Sequence, residues 1–322
     1  MAQMSRFMFG LLALLIVGSP AAQTTYPEKP IHLVVGFPPS SSPDIVARLL
    51  GQKLAEALGK PVLVENIPGA SGIIATERVA KAAPDGYTLA FASSGFAVNP
   101  SLYANLPFDS VRDFAPISQV VVSSNILVVH NAVPAKSVQE LLALAKAQPG
   151  VLTFASGGSG STSGLAGALF KSMARIDIRE VPYKGVIAAI PDLLGGRITM
   201  MVIPIASGLP LVREGKLRAL AVTSLRRSAA APELPTLDES GVRGFEVTTW
   251  GGMLAPAGTP PAVIERLRNE IIKALRTPEV RERLSSQGNE PVGSTSEQFS
   301  ALIKIELVKW ARVIKESGIK PD

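Results

Sequence analysis

Four times along this chain a short apolar run ends in a loop rich in serine, glycine or proline, and a helix-period segment follows at once. The run 31-IHLVVG-36 leads into 37-FPPSSSPDIVARLL-50, and 62-VLVEN-66 leads into 67-IPGASGIIATERVA-80. The run 88-TLAFAS-93 continues through Ser94-Gly95 into 98-VNPSLY-103, and 152-LTFAS-156 opens 157-GGSGSTSGLAGALF-170. Continuous apolar runs describe strands buried on both faces, and parallel neighbours of that kind need a helix to cross between them. The alternation therefore predicts an α/β chain built on largely parallel sheets.

Further strands are expected at 178-IREVPY-183, 198-ITMMVI-203 and 217-LRALAVTS-224, and a shorter apolar run stands at 126-ILVVH-130. Helices are expected over Asp44–Leu58, Gly72–Ala83, Ser137–Ala147, Gly164–Ala174, Val186–Leu194 and Pro261–Arg276. A last helix runs from Ser296 to Ser317, where Phe299, Leu302, Ile303, Leu307, Trp310, Val313 and Ile314 recur at three- and four-residue spacing as one buried stripe.

The loops carry a chemical signal of their own. Ser42 fits a helix N-cap with Pro43 in the first helical position and Asp44 in the first turn, and Ser71 is the cap candidate of the second loop. Residues 154–167 hold four serines, one threonine and five glycines. Loops of this kind at strand carboxyl ends expose unpaired helix N–H groups and the positive end of the helix dipole. Open α/β sheets bind ligands at that edge. One such loop reads as a capped turn; four of them, divided between the two halves of the chain, point to an anion-binding cleft.

Residues 1–22 have one positive charge, Arg6, an apolar run from Phe7 to Val17, and small residues after it, with Ser19 and Ala21 offering a cleavage site. This is the pattern of a secretory signal peptide, and the mature chain is expected to begin between Ala22 and Thr24. The apolar run falls short of the ~20 residues a spanning helix needs. With no cysteine the chain has neither a lipoprotein anchor nor disulfides, so burial alone must hold it together. The expectation is an exported periplasmic protein that is not embedded in the membrane. Its formal net charge of +6 favours anionic ligands by long-range steering. Scattered basic residues and an aromatic content of 5% argue against nucleic acid.

Catalytic constellations fail one by one. His32 falls in the first strand and His130 ends the 126–130 run, and no Cys/His group has zinc-ligand spacing. The glycine-rich loop lacks the Gly-Lys-Ser/Thr of a P-loop, and Ser163 stands where the last glycine of G-x-G-x-x-G belongs after Gly158 and Gly160. No G-x-S-x-G elbow occurs. No metal or cofactor is expected. The one enzymatic alternative is a secreted α/β hydrolase using a loop serine, for which His32 and His130 are the available bases.

An ordered series of segments resembles the Bug family, the extracytoplasmic solute receptors of tripartite tricarboxylate transporters. It includes 26-YPEKPIHLVVGFPP-39, 44-DIVAR-48, 65-ENIPGASGIIATERVAKAAPDGYTL-89, 99-NPSLYANLPFDSVRDFAPIS-118 and 133-VPAKSVQELLALAKAQPG-150. It continues through 155-ASGGSGSTSGLAGALFKSMA-174, 181-VPYKG-185, 193-LLGGRI-198, 216-KLRALAVTSLRRS-228 and 255-APAGTPPAVIERL-267, covering essentially all of the chain after the leader.

The resemblance implies a two-lobed, flytrap-like fold of the periplasmic-binding-protein type. Each lobe would be a mainly parallel sheet flanked by helices. Lobe 1 would comprise 23–124 and 247–322 and lobe 2 would comprise 125–246, with crossovers near Val122–Leu127 and Gly244–Thr249. It implies a monomer, without enzymatic activity, that delivers a small carboxylate to transporter subunits or a sensor. Carried over by position, the ligand contacts are Phe37, Pro39, Ser40, Ser41 and Asp44, then Ser93, Ser94 and Asn99. The second half supplies Ser156, Ser159, Ser161, Thr162 and Ser163, with Tyr183, Lys184 and Gly185.

The sequence departs from the family pattern in several places. Many relatives have glycine where Ser40 and Ser41 stand, histidine at Gly164, and an aspartate-asparagine pair at Ile203 and Pro204. With Ile203 and Pro204 counted as cleft residues, the pocket loses side-chain polarity. The expected ligand is then a carboxylate on an aromatic or otherwise apolar body.

Overall fold

In the computed structural model, which describes residues 26–158 and 160–319, β1 (Ile31–Val35) shows why the apolar runs are strands. Ile31, Leu33 and Val35 enter one core and Val34 enters the core on the opposite face. The expected leader and its cleavage point lie outside the described residues, as does Ser159.

The first half continues with α1 (Ser42–Leu58), β2 (Val62–Asn66), α2 (Ile73–Ala80), β3 (Thr88–Ser93) and α3 (Gly95–Leu102). Then β4 (Phe114–His130) leads to α4 (Val138–Ala147), β5 (Thr153–Ser156), α5 (Thr162–Ala174), β6 (Arg179–Pro182) and α6 (Val186–Leu194). After β7 (Met200–Pro204), α7 (Ile205–Arg213) and β8 (Leu217–Val222), the chain returns through β9 (Thr248–Pro256). It closes with α8 (Pro261–Arg276), α9 (Pro278–Ser285), β10 (Asn289–Pro291) and α10 (Ser296–Ser317).

The strands form one curled, two-lobed sheet in the order β2-β1-β3-β9-β4-β7-β5-β6, with β10 and β8 also on β4. Pairing is parallel within β2-β1-β3 and within β6-β5-β7, as the crossover helices require. Every contact of β4 and β9 is antiparallel, including that with β8. Seventeen residues of β4 span roughly 56 Å at ~3.3 Å each. Its partners change midway: β9 pairs with it as far as Ser124, and β7 and β8 pair with it from Asn125 or Ile126 onward.

Helices cover both faces. α1, α8 and α9 bury Leu50, Leu54, Leu267, Ile271 and Val280 against one side of the first half, and α2, α3 and α10 cover the other. The expected stripe of α10 is present: Phe299, Ile303, Trp310, Val313 and Ile314 are buried, each worth roughly 1.5–3 kcal/mol. A capping box between Thr295 and Gln298 fixes where this helix begins. In the second half, Ala189 and Leu193 of α6 and Ile205 and Leu209 of α7 pack against β4, β7 and β8.

Two expected caps are placed differently. The cap position of α1 is Ser41, whose hydroxyl donates to the Pro38 carbonyl, so Ser42 is already inside the helix. Ser71 lies in a short 3-10 turn with φ 53°, and the cap position of α2 is Gly72.

Candidate functional site

The β1–α1 loop is shaped from inside by Asp44. Its carboxylate, 2% exposed, accepts from the Ser40 amide at 2.8 Å, from Asn66 Nδ2 at 2.7 Å and from Arg48 Nε at 3.0 Å. Burial pushes this carboxyl up, but the bonds from Arg48, Asn66 and Ser40 outweigh it and hold it below the usual carboxylate range. Asp44 is thus engaged by its own lobe and orders the loop. Ser40 adopts φ 66°, a left-handed conformation that costs a non-glycine residue roughly 1–2 kcal/mol. Glycine would adopt the same conformation at no steric cost. Ser40 and Pro39 are exposed, Phe37 is half-buried against the α1 core, and Ser41 bonds to Pro38.

At the end of β3, the Ser94 amide donates to the Trp250 carbonyl at 3.1 Å, and buried Asn99 donates its Nδ2 to the Ser71 carbonyl at 3.1 Å. Ser93 remains at the edge of the opening.

In the loop before α5, Ser161 is the true cap. Its hydroxyl accepts from the Gly164 amide at 3.1 Å and lies 2.6 Å from the Gly158 carbonyl. Ser163 Oγ accepts from the Gly157 amide at 2.8 Å. Thr162, in the first helical position, is half-buried. Ser156 differs from all of these: it is fully buried and its hydroxyl has no hydrogen-bond partner among the described residues. Beside this loop, a side chain at Gly157 would meet the backbone of Gly185 and Val186, which brings the segment Tyr183–Gly185 alongside. Tyr183 Oη donates to Asp192 at 2.8 Å, and Arg197 holds the other oxygen of Asp192 at 2.7 Å. Burial and this bond raise the phenol, while Arg197 and Tyr183 lower the carboxyl. Lys184 is exposed.

Around the opening the halves of the molecule approach each other at Gly160 and at Gly288. Gly160 lies against α3, where a Cβ would stand 2.9 Å from Leu102 Cδ1. Gly288, in the α9–β10 loop, lies against the start of α7, where a Cβ would stand 2.9 Å from Ala206 Cβ. Between the halves is a cavity of about 290 Å³ walled by Val46, Phe91, Val121 and Pro204, with Ser93, Asn125, Gln287 and Asn289 among its polar groups.

One expected contact is corrected here. Ile203 is 0% exposed and packs in the second-half core over Gly208, because alternate strand residues face opposite sides of the sheet. Its neighbour Pro204 does line the cavity. Sequence reading missed Val46, Phe91 and Val121, whose periodicity marks them only as core, and Gln287 and Asn289, which lie in a polar stretch without any motif. Neither histidine is near a loop serine in the bonding pattern: His32 pairs with Glu65, and His130 Nδ1 accepts from the Ala132 amide. Among the described residues no helix is long and apolar enough to cross a membrane, and no cluster has the makings of a metal site.

Residues 46–319 match the family described as "Tripartite tricarboxylate transporter family receptor". The chain is 38% identical over 306 residues to Protein BugT of Bordetella pertussis, covering 94% of each. An R. palustris protein solved with adipate superposes with TM-score 0.75 at 32% identity, covering 92% of this chain and all of that one. MatC of Rhodopseudomonas palustris, solved with bound malate, gives TM-score 0.71 at 31% identity, covering 90% of this chain and all of that one.

Proposed function

The chain belongs to the receptor family of tripartite tricarboxylate transporters, and we propose that it captures a small organic carboxylate in the cleft between its halves. It is a solute-binding receptor and not an enzyme, which removes the hydrolase alternative. Receptors of this family are periplasmic and work with transporter subunits. Export of this chain through residues 1–22, a monomeric state, and delivery to a transporter or sensor complete the proposal.

The observation that carries it is the buried, unpartnered hydroxyl of Ser156, the last residue of β5 before the loop that leads into α5. A hydroxyl kept from water without a partner is costly, and a bound anion at that helix terminus would complete it. The carboxylates seen in the two R. palustris relatives support the same chemistry. We assign 26–124 with 247–319 to one lobe and 125–246 to the other, because the partners of β4 change at Ser124/Asn125. The apolar walls Val46, Phe91, Val121 and Pro204 favour a ligand with an aromatic or aliphatic body, worth about 25 cal/mol per Å² of apolar surface covered.

The test is a thermal-shift screen over an organic-acid panel, followed by competition between benzoate and citrate. Ligand bound to the folded state alone raises its melting temperature. No shift with any acid, or catalysed conversion of the acid that does bind, would end the reading. Selectivity for citrate would end only the preference for an apolar body.

A further inference from the structure

The cavity between the halves has a wall that comes from neither the strand-end loops nor the crossovers. The α9–β10 loop reaches it from the C-terminal return. Ser123 Oγ donates to the Gly288 carbonyl at 2.9 Å, Asn289 pairs with Ser123 in the sheet, and Asn289 Nδ2 donates to Ser42 Oγ at 3.3 Å. Gly288 has φ +71° and presses on Ala206 and Ile205 of the opposite half, so the loop touches both sides of the cleft. Asn289 is 5% exposed, and the side-chain amide of Gln287 makes no hydrogen bond among the described residues.

Among the described residues, no Lys, Arg, His, Asp or Glu lines this cavity. The lining offers carboxamides and hydroxyls and no cation, so a second ligand carboxylate would be taken from water there without a charged partner. A carboxamide, in contrast, both donates and accepts, which matches a hydroxyl, carbonyl or amide.

We propose that the α9–β10 loop is a third wall of the ligand site. On the carboxylate reading above, Gln287 and Asn289 then select acids whose end remote from the carboxylate carries an uncharged oxygen or amide group. The apolar walls take the chain between the two ends.

Titration calorimetry with hexanoate, 6-hydroxyhexanoate and adipate, which share one chain length, isolates the remote end. The protein should bind 6-hydroxyhexanoate about tenfold more tightly than adipate. Gln287→Ala should weaken 6-hydroxyhexanoate about fivefold and leave hexanoate within about twofold, since one neutral hydrogen bond is lost. Gln287→Arg places a cation at this half-buried position, and a variant that melts like the unaltered protein should reverse the order in favour of adipate. Adipate binding most tightly to the unaltered protein, an order unmoved by Gln287→Arg, or panel acids binding when none of these three does would each overturn this inference alone. Failure of every acid to bind overturns the carboxylate reading with it.

Discussion

Thr223 Oγ1 lies 2.6 Å from the Val247 carbonyl and accepts from the Asn125 amide at 3.1 Å, so one buried hydroxyl joins both connections between the halves. Backbone bonds run beside it, from the Thr223 amide to the Asn125 carbonyl and from the Val247 amide to the Thr223 carbonyl. Ser124 Oγ donates to Ser224 Oγ at 2.9 Å one residue on.

Thr223→Val keeps the shape and removes the hydroxyl. It strands the Asn125 amide, a buried donor, and takes from the Val247 carbonyl its short bond while the 3.4 Å bond from Asn125 Nδ2 remains, at a cost of about 1–3 kcal/mol. Urea unfolding should show a loss of about 2 kcal/mol with an unchanged slope. A loss below about 0.5 kcal/mol would mean that the backbone bonds alone hold the two connections together.

Asp44 should make the stability of the β1 lobe depend on acid. Its folded-state pKa is lowered, with burial opposed and outweighed by the bonds from Arg48, Asn66 and Ser40. The stabilisation is therefore complete above the unfolded value of about 3.9 and is lost as pH falls through the lower folded value. Asp44→Asn should cost about 1–2 kcal/mol at pH 7, and the melting curves of the two proteins should converge in acid. Parallel curves down to pH 3 would show that the charge contributes nothing.

How much of this was legible in the sequence depends on which physical rule each element obeys. The strands β1, β2, β3, β5, β6, β7 and β8 and most of the long helices obey periodicity and were readable. The strand β4 was visible only as 126-ILVVH-130, because Pro116, Gln119, Ser123, Ser124 and Asn125 break its alternation and its register shifts twice against β9. The strand β9 was hidden by Gly251 and Gly252, residues that normally weaken strands. Here they leave room for aromatic rings: a Cβ at Gly252 would stand 2.2 Å from Phe299 Cζ, and one at Gly251 would stand 2.7 Å from Phe91 Cζ. That requirement is tertiary and has no local signature. The same holds in the site. The serine-rich loops announced donors, but which hydroxyls are consumed internally, as in Ser41, Ser161 and Ser163, depends on loop geometry.

That distinction between consumed and free hydroxyls gives the sharpest test of the cleft. Ser161 serves as a cap, so Ser161→Ala should cost about 1 kcal/mol of stability and change affinity for a carboxylate little. Ser156 has no partner to lose, so Ser156→Ala should leave the stability of the free protein within about 0.5 kcal/mol, or raise it by relieving a buried unpaired group. In the bound state the same hydroxyl would donate to the ligand, and its loss should weaken binding by about tenfold, the worth of a hydrogen bond to a charged group. Calorimetric titration with the tightest acid of the panel, run beside thermal unfolding of the free variants, separates the two serines. Affinity that follows Ser161 and ignores Ser156 would move the anion away from β5 and leave the buried hydroxyl without a function.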